Sequence, residues 1–483
     1  MRLTYVFIAL GLILRCIGLV ILVPAAVAIY YNDYFSILPF VTASFVSIVL
    51  SLFFRKKSST FESLNDIKKS EALFIVAAAW CMFAVIAAIP YYFYGFSILN
   101  GLFEAVSGIT TTGATILTSY DYPQALFFWR SMSQWLGGMG IIVLFIAVLP
   151  QFAVAGRQMF FAEAPGPTED KITPRIRHTA TALWGLYVVL TILEIIFLKL
   201  AGMPLFDAFC NSFSSIAGGG FSPNAASIMG YHSTAVVWIV AIFMFFAGTN
   251  FSLMYSAFTQ KNLLLFWKND EFKLYFAIIF TFSALIAFVL YAHNSYPPFK
   301  AVMDAFFQVV SVIITAGFGS VDYAQWTLDA KLLLFVLMFV GGCAGSAAGG
   351  VKVVRVAFMF KYLRREIARI LHPSGVFPIK LNKTIVAPEV GAQMMAFIIF
   401  YYVIFAVSAF LISLIEKNTL IGVTGSIATL GNIGPGFGVI GPMGNFDVLH
   451  PLSKLICISN MIVGRLELIP FLAMLHPDFW KIR

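Results

Sequence analysis

Long apolar segments, separated by short polar or basic connections, run through the whole chain. Many of them reach the roughly 20 residues that a membrane-spanning helix needs. The pattern predicts an all-α polytopic membrane protein with spanning helices and four half-length helices. The ten spanning helices are expected at 3–30, 36–54, 71–94, 125–150, 179–201, 234–258, 274–293, 330–360, 390–415 and 450–475.

The half-length helices belong to four connections that are too short and too polar to cross a bilayer. These connections lie at 100–115, 204–222, 299–319 and 418–434. They align on four glycines, Gly113, Gly220, Gly317 and Gly431. Four residues before each glycine stands an isoleucine, at Ile109, Ile216, Ile313 and Ile427. Thirteen residues before it stands an Asn or Asp that is expected to cap the helix, at Asn100, Asp207, Asp304 and Asn418.

This self-similarity over long intervals indicates one module repeated four times. The modules are expected at 70–177, 178–269, 270–389 and 390–483, after two additional N-terminal helices and a basic loop at 1–69. The register of the fourth module is the least constrained. There Gly425 replaces the serine of the other copies, and Leu430 lies beside Gly431.

A half-length helix would place the loop that follows it near the middle of the membrane. About ten helical residues rise about 15 Å, which is half the hydrocarbon thickness of a bilayer. Irregular backbone at that depth is tolerated only where it is buried in protein or lines a water-filled cavity. Four glycine-containing loops around one axis would form a ring of carbonyls that replaces the hydration shell of a cation. The alternative is a set of re-entrant packing elements or extracellular turns.

The residues expected to form this ion filter follow from the alignment. They are Thr110, Thr111, Thr112, Gly113, Ala217, Gly218, Gly219, Gly220, Ile314, Thr315, Ala316, Gly317, Ala428, Thr429, Leu430, Gly431 and Asn432. Glycine is suited to such loops because it adopts positive φ at little cost.

Composition and charge agree with a membrane protein. Apolar residues make up 60% of the chain and charged residues 11%, with a formal net charge of +9. The basic clusters all fall on one side of the expected topology, as the positive-inside rule requires. Both termini are therefore expected in the cytoplasm, and the positive charge gives no reason to expect nucleic acid. The cysteines and histidines show no metal-ligand or catalytic spacing, so neither a cofactor nor enzymatic activity is expected.

Four short sequences carry a resemblance to a known family. They are Thr-Thr-Thr-Gly-Ala at 110–114, Ala-Gly-Gly-Gly-Phe-Ser at 217–222, Thr-Ala-Gly-Phe-Gly at 315–319 and Thr-Leu-Gly-Asn-Ile-Gly-Pro-Gly at 429–436. These resemble the four filters of the TrkH family of potassium-uptake subunits, within the superfamily that also contains KtrB and the plant HKT transporters. The resemblance covers essentially the whole chain, including the two N-terminal helices.

The resemblance implies potassium uptake across the bacterial inner membrane. In the superfamily a serine at the first filter glycine is associated with sodium permeation, and this chain has Gly113 there. The resemblance also implies a homodimer that works with a TrkA-like cytosolic nucleotide-binding ring. Because nothing in this chain is suited to bind a nucleotide, such regulation would act in trans.

A small-residue segment interrupts the expected helix at 330–360. Close helix packing through GxxxG spacing is one interpretation. A phosphate-binding loop is weaker, because Val351 precedes Lys352 and no strand leads into the segment. The third interpretation is a broken helix whose loop lies under the filter, and the resemblance favours this loop as a gate. The expected gate residues are Gly341, Gly342, Gly345, Ser346, Gly349, Gly350 and Arg465.

Arg465 lies in the last apolar segment, where an ionisable side chain is costly and suggests function. Glu467 is two positions away and therefore on another face. The alternatives are a salt bridge to another helix or a position below the filter that limits cation passage or helps the gate to open. The basic amphipathic segment 360–371 is expected to lie on anionic lipid or to dock a cytosolic partner.

Two rival functions remain open from the sequence. Potassium symport with protons or sodium would need a second ion site, for which Glu104 and Glu467 are the candidates. A non-transporting membrane scaffold is the other rival, but it would not need four filters.

Overall fold

The computed structural model describes residues 2–57, 68–140, 176–294, 296–382, 384–466, 474 and 476–480. Helices α1 to α10 are Leu3–Val20, Leu22–Tyr30, Ile37–Lys57, Lys69–Phe93, Ile98–Ile109, Gln124–Gly138, Ile176–Leu200, Leu205–Ala217, Thr234–Ala247 and Phe251–Thr259. Helices α11 to α19 are Leu264–Lys268, Asp270–Asn294, Pro298–Ile313, Leu328–Leu337, Val353–Leu371, Pro388–Glu416, Thr419–Leu430, Pro451–Arg465 and Pro477–Trp480. Two short antiparallel strands, β1 (Lys380–Leu381) and β2 (Thr384–Ile385), follow α15.

Six helical segments of the described residues, the first of them formed by α1 and α2 together, are long and apolar enough to cross a membrane. They are Leu3–Tyr30, Ile37–Lys56, Ser70–Phe93, Thr179–Leu200, Asp270–His293 and Pro388–Glu416. Each coincides with an expected span, which confirms the all-α membrane fold. The expected spans 125–150 and 450–475 are described as helix only to Gly138 and Arg465, and residues 141–150 and 467–473 lie outside the described residues.

The span expected as one helix at 234–258 is instead a bent pair of helices. The chain bends by 95° between α9 and α10. A new helix starts there because the Asn250 side chain accepts a hydrogen bond from Leu253 N at 3.0 Å and caps α10. The helix expected at 330–360 is also broken, as its small-residue segment predicted. There α14 ends at Leu337 and α15 starts at Val353.

The four short helices α5, α8, α13 and α17 form the centre of the molecule. Each packs against the first long helix of its own repeat. Three of the short helices also contact the second helix of a neighbouring repeat: α8 packs on α6, α13 on α9, and α5 on α18. The third repeat meets the fourth where α15 packs on α16. The contact between α5 and α18 joins the first repeat to the fourth. The repeats are therefore arranged in a closed circle.

Only one of the four expected caps is correct. Asn418 caps α17, whereas the other short helices start after Ser97, Pro204 and Pro297. In α13 a proline, Pro298, also occupies the first helical position, where it has no N–H to leave unsatisfied. Asp304 lies inside α13 and accepts a hydrogen bond from Ser320 Oγ at 3.0 Å. Thus polar residues inside α5, α8 and α13 were mistaken for their beginnings.

Candidate functional site

The four short helices end in the same turn. A residue one or two positions beyond the helix end adopts positive φ, and a glycine adopts positive φ two residues after it. The first positions are Thr111 (54°), Gly218 (66°), Thr315 (61°) and Asn432 (54°), and the second are Gly113 (79°), Gly220 (79°), Gly317 (72°) and Gly434 (101°). We call the segments 110–113, 217–220, 314–317 and 431–434 the glycine loops.

The hydrogen bonds of these turns follow one pattern. In the first glycine loop Thr111 N donates to Gly108 O at 3.0 Å and Thr112 N donates to Ser107 O at 2.9 Å. This is a Schellman motif, which satisfies the last carbonyls of a helix. Equivalent pairs of bonds start from Gly218 and Gly219, from Thr315 and Ala316, and from Asn432 and Ile433.

The fourth register of the sequence alignment is therefore wrong by three residues. Gly434, not Gly431, is the counterpart of Gly113, since Gly431 has a φ of −77° and ends the helix. The predicted filter residues Ala428, Thr429 and Leu430 lie within α17. The counterpart of Ile109 is accordingly Leu430 rather than Ile427. The alignment matched glycine to glycine, but the turn depends on φ, and asparagine tolerates the left-handed region better than most residues.

The four glycine loops close a ring. A Cβ placed on Gly113 would collide with Gly219 O, and one on Gly220 would collide with Ala316 O. The contacts continue from Gly317 to Ile433 O and from Gly434 to Thr112 O, with the last at 2.6 Å from the added Cβ. Each loop thus rests its glycine against a carbonyl of the next loop. No larger residue fits such an approach without moving backbone.

Side chains of three glycine loops brace the ring. Thr110 Oγ1 lies 2.8 Å from Thr112 Oγ1 in the first loop. Asn432 Nδ2 in the fourth loop donates to Thr112 Oγ1 at 2.9 Å and to Met461 O at 3.0 Å. Thr315 Oγ1 in the third loop accepts from Gly349 N at 2.7 Å. The predicted filter residues of the first three repeats are thereby brought together at one place.

A small open cavity lies over one side of the ring. Residues from all four repeats line it, among them Gly113, Gly220, Gly317 and Pro435. Arg130 also lines it, and its guanidinium lies 4.1 Å from the centre of the Phe221 ring. The cavity gives the ring an opening on the side toward which the chain leaves the glycine loops.

Glu104 is buried in an ion pair beside this cavity. Its carboxylate lies 2.7 Å from Arg130, with the two side chains 0% and 2% exposed. It also accepts hydrogen bonds from Thr115 Oγ1 at 3.0 Å and Ile116 N at 2.9 Å. A carboxylate with these partners fixes the backbone after the first glycine loop. This argues against Glu104 as a second ion site, and Glu467 lies outside the described residues.

Glu194 is a buried acidic residue that the sequence interpretation missed. It lies in the long helix α7, is 0% exposed, and accepts a hydrogen bond from Ser215 Oγ at 2.7 Å. Ser215 O in turn accepts from Gly218 N at 3.1 Å in the second glycine loop. The sequence did contain a signal for Glu194, because an ionisable residue within a spanning segment is by default a candidate for function.

The loop 341–350 lies against the other side of the ring. Besides the bond from Gly349 N to Thr315, Cys343 N donates to Gly248 O at 2.9 Å and Ala347 N to Ala247 O at 3.2 Å. Both of these carbonyls are freed where α9 ends and the chain bends. A Cβ on Gly349 would lie 2.7 Å from Gly431 O. The loop therefore contacts the second, third and fourth repeats.

Glu271 holds the loop from the side of α12. Its Oε1 accepts hydrogen bonds from Ala344 N at 2.6 Å and from Val354 N at 3.2 Å. The first of these N–H groups belongs to the loop and the second to the first turn of α15. One carboxylate thus joins the loop to the basic helix that follows it.

Arg465 lies below the ring and binds carbonyls from two other repeats. It donates to Ala347 O at 3.0 Å in the loop and to Gly138 O at 2.9 Å at the end of α6. A further bond reaches Gly137 O. Arg465 and the predicted loop residues are therefore brought together. These helix-end carbonyls carry the partial negative charge that a guanidinium favours.

Comparisons with known proteins agree with this architecture. A family model for TrkH, described as a cation transport protein, matches residues 39–478. The chain is 40% identical over 423 residues to the Trk system potassium uptake protein TrkH of Salmonella typhimurium, covering 86% of this chain and 87% of that protein. It is 36% identical over 479 residues to the TrkH of Vibrio parahaemolyticus, covering 98% of each.

A solved structure matches over the entire length. The crystal structure of the potassium transporter TrkH from Vibrio parahaemolyticus has a TM-score of 0.89 and 33% identity, covering 100% of both chains. The structural match and the family model thus identify the same family. The chain belongs to the TrkH family of cation transport proteins.

Proposed function

We propose that this chain takes up potassium through the ring of glycine loops, which serves as a carbonyl-lined selectivity filter. The contact of each positive-φ glycine with a carbonyl of the next loop carries this proposal. Such contacts hold backbone from four repeats around one axis, where carbonyl oxygens can replace the water of a bare cation. The relatives are potassium uptake proteins, which makes potassium the ion we propose.

The filter residues are those of the four glycine loops. In the first three repeats they coincide with the predicted set. In the fourth, Ile433 and Gly434 join Gly431 and Asn432, and the three preceding helical residues are left out. Serine at Gly113 is associated with sodium permeation in the superfamily, so glycine in all four loops favours potassium.

The loop 341–350 acts as the gate. It lies directly under the ring, and hydrogen bonds rather than a continuous helix hold it. Arg465 contributes a positive charge on the ion path and also ties the loop to α6. Opening would require the loop to leave the carbonyls of the second repeat and the hydroxyl of Thr315.

The cytosolic face would carry regulation. Helix α15 extends from the gate loop and carries Arg364, Arg365 and Arg369. The Trk system to which the relatives belong implies partner subunits. A TrkA-like nucleotide-binding ring on this face, pulling on α15, would act on the loop through Glu271. The protein would work as a homodimer in the bacterial inner membrane, with both termini in the cytoplasm.

A second candidate function is potassium symport coupled to protons. Glu194 favours it, since the carboxyl is fully buried behind the second glycine loop and its Oε1 lacks a hydrogen-bond partner among the described residues. A proton on this carboxyl would remove the cost of a buried charge. In that case Glu194→Gln would abolish any response to a proton gradient and leave potassium permeation intact.

One experiment separates the functions. The purified chain is reconstituted alone into liposomes, and current is measured under a potassium gradient with and without a proton gradient. We expect the current to reverse at the potassium equilibrium potential and to ignore the proton gradient. A reversal potential that moves with pH would instead support symport. Absence of flux both alone and with the partner ring would leave only a scaffold.

A further inference from the structure

The second glycine loop differs from the other three in having no side chain of its own to brace it. Its residues after Ala217 are Gly218, Gly219 and Gly220. The other loops use Thr110 with Thr112, Thr315, and Asn432 for this purpose, as described above. A triple glycine is also the most flexible backbone that a chain can have. Something outside this loop must therefore hold it in register with the ring.

Gln134 occupies the required position. It lies in α6, which belongs to the first repeat, and is 0% exposed. Its Nε2 donates to Gly219 O at 2.7 Å, and its Oε1 accepts from Phe221 N at 3.1 Å. Only one orientation of the carboxamide satisfies both bonds, because one partner is an acceptor and the other a donor.

The two bonds straddle Gly220, which is the residue that contacts the third loop. The approach is so close that a Cβ on Gly219 would overlap the Gln134 carboxamide. The Gln134 carboxamide can therefore occupy this position only because residue 219 is a glycine. We propose that Gln134 is a positioning residue for ion selectivity, which fixes the second glycine loop from the neighbouring repeat.

This inference rests on the proposed filter, in which the spacing of the loops determines which cation fits. A loop freed from its brace would let the ring adapt to ions of other sizes. Selectivity would then fall more than conduction. A merely structural role for Gln134 would instead lower the amount of active protein and leave the ratio of potassium to sodium permeability unchanged.

The test is Gln134→Glu in the full chain, reconstituted into liposomes, with the permeability ratio taken from reversal potentials under bi-ionic conditions. The substitution keeps the acceptor for Phe221 N but places a second acceptor against Gly219 O. We expect the preference for potassium to fall at least about fivefold, the scale expected for losing a buried hydrogen bond. Gln124→Glu, an exposed position at the start of the same helix, is the matched control and should keep the wild-type ratio.

Gln134→Met, which removes both bonds without adding charge, provides a second variant if Gln134→Glu does not fold. An unchanged ratio in the folded variant would overturn the inference. Gly220→Ser, measured in parallel, separates this failure from a failure of the proposed function. If Gly220→Ser alters the ratio and the Gln134 variants do not, only the role of Gln134 is wrong. If none of them alters it, the filter itself is misplaced.

Discussion

The protein contains two glycine-rich regions, the ring of glycine loops and the loop 341–350, and their glycines are used in different ways. In the ring, Gly113, Gly220, Gly317 and Gly434 have positive φ, and each abuts a carbonyl of the next loop. In the loop, Gly345 also has positive φ, at 67°, but the nearest atom to a Cβ placed there is 3.7 Å away. Gly341 and Gly349 of the loop also approach carbonyls closely, and a Cβ added to Gly349 would lie 2.7 Å from Gly431 O. The ring is thus closed by packed contacts from one repeat to the next, whereas the loop combines such contacts with hydrogen bonds to Glu271, Thr315 and Arg465.

This difference indicates which region is rigid and which can move. A packed backbone contact cannot yield without shifting the neighbouring loop, because protein interiors are close-packed. Hydrogen bonds to Glu271, Thr315 and Arg465 can exchange for hydrogen bonds to water when the loop moves. Proteins draw moving elements from their less stable parts. We therefore expect substitutions in the ring to alter conduction and selectivity, and those in the loop to alter opening.

The largest effect is expected for Gly220→Ala. The new methyl group would collide with Ala316 O, and alanine would also be strained at a φ of 79°. Potassium flux per folded molecule should fall by at least about tenfold, because the ring cannot close. Flux into liposomes, normalised to monodisperse protein, measures this. Gly185→Ala, at an exposed helix position where a Cβ meets nothing within 4 Å, should behave as wild type.

Arg465→Gln is expected to have an intermediate effect, and it should raise potassium flux rather than lower it. The substitution removes a positive charge below the ring and loosens Ala347 from the end of α6. Basal potassium flux should rise by about three- to tenfold, the scale of one or two charged hydrogen bonds. Arg465→Lys should lie between the two, since it keeps the charge but loses the forked geometry. Basal flux equal to wild type in both variants would remove Arg465 from the gate.

The smallest effect, a limited rise in open probability, is expected for Gly345→Ala. The side chain has space, so the cost is limited to the left-handed backbone, about 1 kcal/mol. Open probability in single-channel recordings should rise by no more than about fivefold, with the permeability ratio unchanged. A change in selectivity would show that this loop, like the ring, contacts the conducted ion. That result would erase the distinction between the two regions.

The sequence was sufficient for the architecture because hydrophobic length and charge bias report directly on the membrane. The six long spans, the four short helices and the break in the helix at 330–360 all follow from it. The first three glycine loops were also correctly placed, since Gly113, Gly220 and Gly317 share a spacing from Ile109, Ile216 and Ile313. Local pattern and global fold agree at these positions.

The features that could not be predicted from the sequence depend on backbone angles and on contacts between repeats. In the fourth loop Asn432 adopts the left-handed conformation that Gly218 adopts in the second, so residue identity gave a misleading register. The 95° bend after α9 occurs at Gly248-Thr249-Asn250, which resembles an ordinary part of an apolar span. The contact of Gln134 with Gly219 joins two repeats, and no spacing within one repeat contains it.

The most direct test of the four-loop ring compares glycine to serine substitutions at 113, 220, 317, 434 and 431. Potassium over sodium permeability is measured from bi-ionic reversal potentials for each reconstituted variant. The ring predicts that the first four variants lose selectivity together, because each of those glycines has positive φ and abuts the next loop. Gly431→Ser should lose much less selectivity, since its φ of −77° is allowed to serine and its Cβ would approach Ile427 O of the same repeat, at 2.9 Å, rather than a carbonyl of the next loop. Loss of selectivity in Gly431→Ser with retention in Gly434→Ser would contradict the account.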